Sequence, residues 1–169
     1  MENNLRKKPW NRVSLPVYSI SSLHADGRAN MHIITYAQAV SMQPKQFIVG
    51  IHLPSLTLEN VQSNPKFVLQ ILAADQYRLV DLLGKKTGRE VNKIQRLQKR
   101  SLLTTWRGFY ILNQCLAVME LQATPLYTEP NFEQPDHALF LCNVTAYQNI
   151  RSAEPLTTDV LREKGVVRM

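Results

Sequence analysis

Residues 16–53 read PVYSISSLHADGRANMHIITYAQAVSMQPKQFIVGIHL, and the architecture is decided there. Pro16–Ser22 is a short run rich in β-forming residues. Asp26-Gly27 follows, the strongest local signal in the chain for a reversal between paired strands. Asn30–Tyr36 (NMHIITY) is then the return strand, so the chain opens on a hairpin. Ala37–Gln43 is less regular and stops before Pro44, which pushes Gln43 out of the helical region. Gln46–Leu53 is apolar and β-branched and reads as a central strand.

Outward from that core, Ser55 or Thr57 can cap a short helix that Asn64-Pro65 ends. Phe67–Leu72 is another strand. Asp75 is placed to cap a second helix running to about Leu83, stopped by Gly84. Lys85–Thr105 is basic, with a weak helical pattern at Val91, Ile94 and Leu97. Residues 109–113, 115–124 and 137–150 read as strands, and Pro125–Pro135, with three prolines, as a loop. Thr157 or Thr158 caps a last short helix that Gly165 ends. Six or seven strands with short helices disfavour a parallel doubly wound sheet, which needs crossover helices of full length. A mainly β (α+β) fold fits better: a closed antiparallel β-barrel with short flanking helices packed outside, since closure removes exposed edges.

The 169 residues suit one domain, 1–169, with residues 1–14 as a flexible arm. No run of about 18 apolar residues offers a membrane span. Cys115 and Cys142 sit inside apolar runs, as buried thiols in a reducing compartment do, so a cytoplasmic protein is expected. The net charge of +7 is concentrated: Lys85, Lys86, Arg89, Lys93, Arg96, Lys99 and Arg100 face only Glu90. Such a stretch suits either a phosphate-bearing partner or a solvated segment. No aromatic residue lies between Tyr77 and Trp106, so nucleic-acid binding lacks its stacking partners. The sequence contains no GxGxxG, phosphate loop, GxSxG or CxxC motif, and no histidine pair at metal spacing. No metal site is expected.

Several segments, in order, carry a family likeness. Val40-Ser41-Met42-Gln43-Pro44, followed by the strand Phe47–Leu53, resembles a V-S-x-x-P ending and its apolar strand. Ser55, Thr57, Glu59-Asn60 and Phe67–Leu72 look like a hydroxyl-bearing helix start and an F-V-x-N-type strand. Thr87–Lys93 resembles G-x-x-V-D-K, Pro135-Asp136-His137 to Val144 resembles G-D-H-x-L-F-x-x-x-V, and Leu156–Arg168 resembles L-x-x-x-L-R-x-x-G. Together, over about residues 15–168, they resemble the flavin reductase-like family, whose fold is an FMN-binding split barrel. Ile33 and Leu56 depart from the pattern, standing where that family often carries polar residues.

The resemblance implies an FMN-binding oxidoreductase. It would be an NAD(P)H-dependent flavin reductase, or would pass electrons through FMN to another acceptor. The alternative is a non-catalytic flavin-binding or cofactor-free interaction protein of the same fold. A homodimer completing the flavin pocket across a twofold axis is implied as well. Asn30, Ile33, Ile34, Thr35 and Tyr36 would wall the ring slot; the plain alternative is a half-buried strand. Ser41 would bond ribityl or phosphate oxygens, or is a turn residue. Ser55 and Thr57 would take the phosphate at a helix start, or are simple caps. Lys93, with Lys85 and Arg89, would neutralise the phosphate, or belongs to a solvated face. His137 is the candidate to stand near the flavin, or is a strand-start residue satisfied by backbone.

Overall fold

The computed structural model describes residues 8–127 and 133–168. Strands β1 (Tyr18–Leu23) and β2 (Ala29–Ile34) form the expected antiparallel hairpin. Its connection runs from His24 to Arg28. Asp26 Oδ1 accepts from Arg28 N at 3.0 Å, and Gly27 takes φ +94°, which glycine holds without a Cβ penalty. Ala37–Gln43, expected as irregular, contains a further strand, β3 (Ala37–Ser41). Its exposed, small-residue composition hides it, because only one of its sides is paired. β4 (Gln46–His52) follows, then α1 (Leu56–Ser63) and β5 (Lys66–Ile71).

Ser55 rather than Thr57 caps α1; its Oγ accepts from Leu58 N at 3.2 Å. The second helix begins as a 3₁₀ turn at Ala74–Leu79 and becomes α2 (Val80–Gly84). Asp75 does not cap it. Gln76 Oε1 accepts from Ala73 N at 3.0 Å, while Asp75 pairs with Arg151 at 2.6 Å. The basic stretch holds α3 (Lys93–Lys99), with Ile94 and Leu97 buried. The hairpin β6 (Leu103–Trp106) and β7 (Phe109–Leu112) turns at Arg107-Gly108, where both residues have positive φ. The long strands β8 (Ala117–Leu126) and β9 (His137–Asn149) flank the Pro125–Pro135 loop, of which residues 128–132 lie outside the described residues. α4 (Thr158–Glu163) is capped by Thr157.

Seven strands form one antiparallel sheet in the order β2-β1-β5-β8-β9-β4-β3. Its two edge strands are consecutive in the chain, separated only by Thr35 and Tyr36. Six inter-strand gaps would hold flat edges about 29 Å apart, whereas the chain from Ile34 to Ala37 reaches about 11 Å. The sheet therefore curls until β2 and β3 stand side by side, a barrel split at one seam. β4 accordingly lies beside an edge rather than at the centre.

Two apolar clusters result. The concave one joins Ile20, Ile34, Val49, Phe67, Leu121 and Phe140, from strands far apart in the sheet order. The outer one packs Met31, Val68, Leu83, Leu97, Leu112 and Leu156 under the helices and the β6–β7 hairpin. β5 is buried on both faces, which explains its near-continuous apolar run. Residues Ser14–Val17 run along α4: Leu15 N donates to Thr158 Oγ1 at 2.9 Å, and Val17 N donates to Leu156 O at 2.9 Å. Among the described residues no helix is long and apolar enough to cross a membrane.

Candidate functional site

The start of α1 abuts the middle of β2. Thr57 is fully buried in the first turn, and Asn30 Nδ2 donates to its Oγ1 at 3.0 Å. One turn on, Asn60 Nδ2 donates to Ser22 Oγ at 3.1 Å, tying the helix to β1. From the other side, α3 brings in Lys93, whose side chain is 2% exposed and donates to Leu83 O at 2.9 Å. Asn30, Thr57 and Lys93, with His32, His52 and Ser55, line a cavity of about 260 Å³ bordered by the loop Gly84–Gly88. Gly88 is required there, because a Cβ would stand 2.5 Å from Asn30 Oδ1 and 3.0 Å from Leu56.

The electrostatics are one-sided. The lining residues include Lys85, Lys86 and Lys93 and no carboxylate. Lys85 is engaged by Asp81 at 2.6 Å, and Glu59 on α1 is held by Arg89 at 3.0 Å and Arg28 at 3.3 Å. The Arg89 hydrogen bond, with help from Arg28, keeps the Glu59 carboxyl below its usual pKa. Lys93 has no acidic partner among the described residues, and burial pushes its pKa down to about 8. His32 is pushed down to about 4, first by burial, then by the nearby charge of Lys93. Its Nδ1 is buried without a hydrogen-bond partner among the described residues.

Beyond the cavity lies an aromatic shelf. His52 and His137 face each other directly across β4 and β9, ring centroids 5.2 Å apart. The Tyr36 ring meets His137 edge-on at 5.0 Å, with more than half of Tyr36 exposed. His137 Nδ1 lies 2.7 Å from Asp136 Oδ1, which orients the imidazole. Gly50 permits this approach: a Cβ there would sit 3.3 Å from Tyr36 Cβ. No cluster of metal-ligating side chains occurs among the described residues.

The structure thus gathers Asn30, Ser55, Thr57 and Lys93 around one cavity. Ile33, Thr35 and Tyr36 line a separate recess of about 320 Å³ beneath Trp10 and Val13. Ile34 points its side chain into the concave core. Ser41 ends β3 beside a register shift and lines neither space. His32, His52 and Gly88 belong to the cavity wall and were not singled out from sequence. The signal for His32 was its two-residue spacing from Asn30, which puts both on one face of a strand. Ile33 stands on the opposite face of β2, packed against the outer apolar cluster, and does not line this cavity.

Known proteins share this fold. A flavin reductase solved in its native state is 21% identical, covers 93% of each chain and superposes with a TM-score of 0.70. An FMN-binding protein from Thermus thermophilus, solved with bound 1-cyclohex-2-enone, is 23% identical over 84% of this chain and 74% of its own, TM-score 0.70. Flavoredoxin from Methanosarcina acetivorans is 18% identical over 89% and 80%, TM-score 0.68. No curated relative matches the sequence. The flavin reductase like domain matches residues 10–160, and the chain belongs to that family.

Proposed function

We propose that the protein binds FMN, with its phosphate in the Asn30–Thr57–Lys93 cavity, and acts as an NAD(P)H-dependent flavin reductase or as an FMN-mediated electron carrier. The observation that carries this reading is Lys93: a buried ammonium that, among the described residues, has only a carbonyl partner, in a cavity lined by no carboxylate. An unpaired buried cation is costly, and an anionic ligand removes the cost. The helix start adds donors of the right sign, and Ser55 and Thr57 add hydroxyls. At about 260 Å³ the cavity suits the phosphate and part of the ribityl chain, not the whole cofactor. The shelf of Tyr36, His52 and His137 is the adjoining flat surface for the ring.

Bound FMN would supply hydride acceptance and electron transfer. The protein's own residues bind and orient: Lys93 and Thr57 at the phosphate, and His137, fixed by Asp136, at the ring edge. Burial pushes Cys115 and Cys142 up to about 12, so neither thiol is available as a nucleophile. Their burial as free thiols also supports a cytoplasmic setting. A twofold dimer supports completion of the site, because one chain leaves the Tyr36 shelf open to solvent.

FMN fluorescence quenching, followed by NAD(P)H oxidation with FMN present, tests the reading. Saturable quenching with steady oxidation identifies a reductase. Quenching without oxidation identifies a flavin carrier. No quenching, in protein shown to be folded, overturns the proposal.

A further inference from the structure

On the far side of His137 lies a second and larger cavity, of about 730 Å³. Its walls are the C-terminal half of α1 (Val61, Gln62), the end of β8 (Ala123, Leu126) and the start of β9 (Leu139, Phe140). Val61, Ala123 and Phe140 belong to the concave core, so the space reaches down into the barrel. Its rim is apolar and open, with Leu53 48% and Leu126 39% exposed. The volume falls within the roughly 300–1,000 Å³ of cavities that hold small organic molecules.

Its chemistry is the opposite of the phosphate cavity's. No lysine, arginine, aspartate or glutamate lines it among the described residues. The polar lining side chains are Gln62, Tyr127, Gln134 and His137, all uncharged hydrogen-bonding groups or able to be so. Such a site disfavours any ligand with a fixed charge, because nothing compensates its desolvation. It therefore does not suit a phosphate-bearing molecule.

We propose that this cavity is a binding site for an uncharged, mainly apolar carbonyl compound of quinone size. The apolar walls bury the ring, and the amide and imidazole donors meet the carbonyl oxygens. His137 belongs to both this cavity and the aromatic shelf, so a molecule seated here lies against the same imidazole as the flavin ring of the proposed function. The site itself needs no flavin.

Menadione titrated into the full chain without flavin, followed by backbone amide NMR, tests the proposal. Saturable shifts are expected at residues 138–140 and 123–126, with little change at residues 55–57. Ala123→Phe, which fills the floor, and Leu126→Glu, which adds a charge at the exposed rim, should each weaken binding about tenfold or more. Leu126→Glu is a surface change, so it remains informative if the Phe variant fails to fold. FMN quenching measured on the same variants separates this site from the phosphate cavity. Failure of menadione to saturate, shifts located elsewhere, or equal binding by folded Leu126→Glu would overturn the proposal, whatever the outcome for FMN.

Discussion

Asn30 Nδ2 donates to Thr57 Oγ1 at 3.0 Å, across 27 residues of chain, with both side chains buried. This bond fixes where the hydroxyl of α1 points and ties the helix start to β2. Thr57→Val keeps the shape but leaves the Asn30 amide without its acceptor. The expected loss is about 1–3 kcal/mol of stability, the cost of an orphaned buried donor. FMN affinity should fall too, and Thr57→Ser should restore both. Thermal melts and fluorescence titrations on the three proteins check this; a Val variant as stable as wild type would show that the bond contributes nothing.

Gly88 and Gly108 separate two uses of glycine. A methyl at Gly88 meets Asn30 Oδ1 at 2.5 Å, although its φ is not in the left-handed region. Gly88→Ala must displace either Asn30 or the loop over the cavity, an overpacking cost of about 1–3 kcal/mol. It is expected to reduce FMN affinity by at least about tenfold. Gly108 has φ +87° at a hairpin turn and open space around it. Gly108→Ala should therefore lower the melting temperature through strain of about 1 kcal/mol and leave FMN binding unchanged. Equal effects of the two variants on FMN affinity would refute the distinction.

Much of the barrel could be read because its signals are local. Asp26-Gly27 marks the first hairpin by turn chemistry, and Phe47–Ile51 marks β4 by β-branched composition. β3 escaped because Ala37–Ser41 is largely exposed and owes its pairing to the sheet's need to close. The cavity was half legible. Ser55 and Thr57 announce a helix start, yet nothing local says that Asn30 reaches Thr57. Lys93 was one cation among seven, and only packing distinguishes it: it is buried, whereas Lys85, Lys86, Arg89, Arg96, Lys99 and Arg100 are exposed. His32 and His52 gave no metal spacing, and their convergence depends on the barrel curling β2 round to the β3–β4 side of the seam.

Lys93 predicts an alkaline rise in stability. Its folded pKa of about 8 lies below the ordinary 10.5, so the unfolded chain holds the proton more tightly. Between these values the unfolded state binds more protons, and stability increases with pH across that window. The full effect is on the order of 3 kcal/mol, and Lys93→Met should abolish it. An anionic ligand reverses the preference by favouring the charged ammonium. FMN affinity should then fall as pH rises through 8, while riboflavin, lacking the phosphate, should show no such limb. Denaturation midpoints and flavin titrations across pH 7–11 decide the matter; a parallel fall for riboflavin would remove Lys93 from the phosphate site.

His32 acts at the opposite end of the scale. Burial and the neighbouring Lys93 charge lower its pKa to about 4 from the ordinary 6.5. The unfolded chain again binds the extra proton between those values, so stability is lost as pH falls from 6.5 towards 4. His32→Gln, which cannot charge, should flatten this acid limb relative to wild type. Chemical denaturation at pH 7 and pH 4.5 is sufficient, and an unchanged difference between the two would show that other groups set the acid limb.

Gln70 carries the last prediction, on the side of the barrel away from the cavity. It is fully buried in β5, and its Oε1 accepts from Leu112 N at 2.7 Å. The hairpin β6–β7 pairs within itself and, among the described residues, joins no other strand. Gln70 is thus a polar pin between hairpin and barrel, set among Val68, Leu112 and Val118. Gln70→Leu conserves much of the volume but orphans the Leu112 amide, at a cost of about 1–3 kcal/mol. Gln70→Asn is one methylene shorter and cannot span the same distance without moving β7. Both should destabilise the protein, and both should speed amide exchange in residues 103–112 more than in β8 or β9. FMN binding should survive, because the pin touches none of Asn30, Thr57 or Lys93. If exchange instead accelerates uniformly across the sheet, the hairpin unfolds only with the whole barrel and Gln70 is an ordinary core residue.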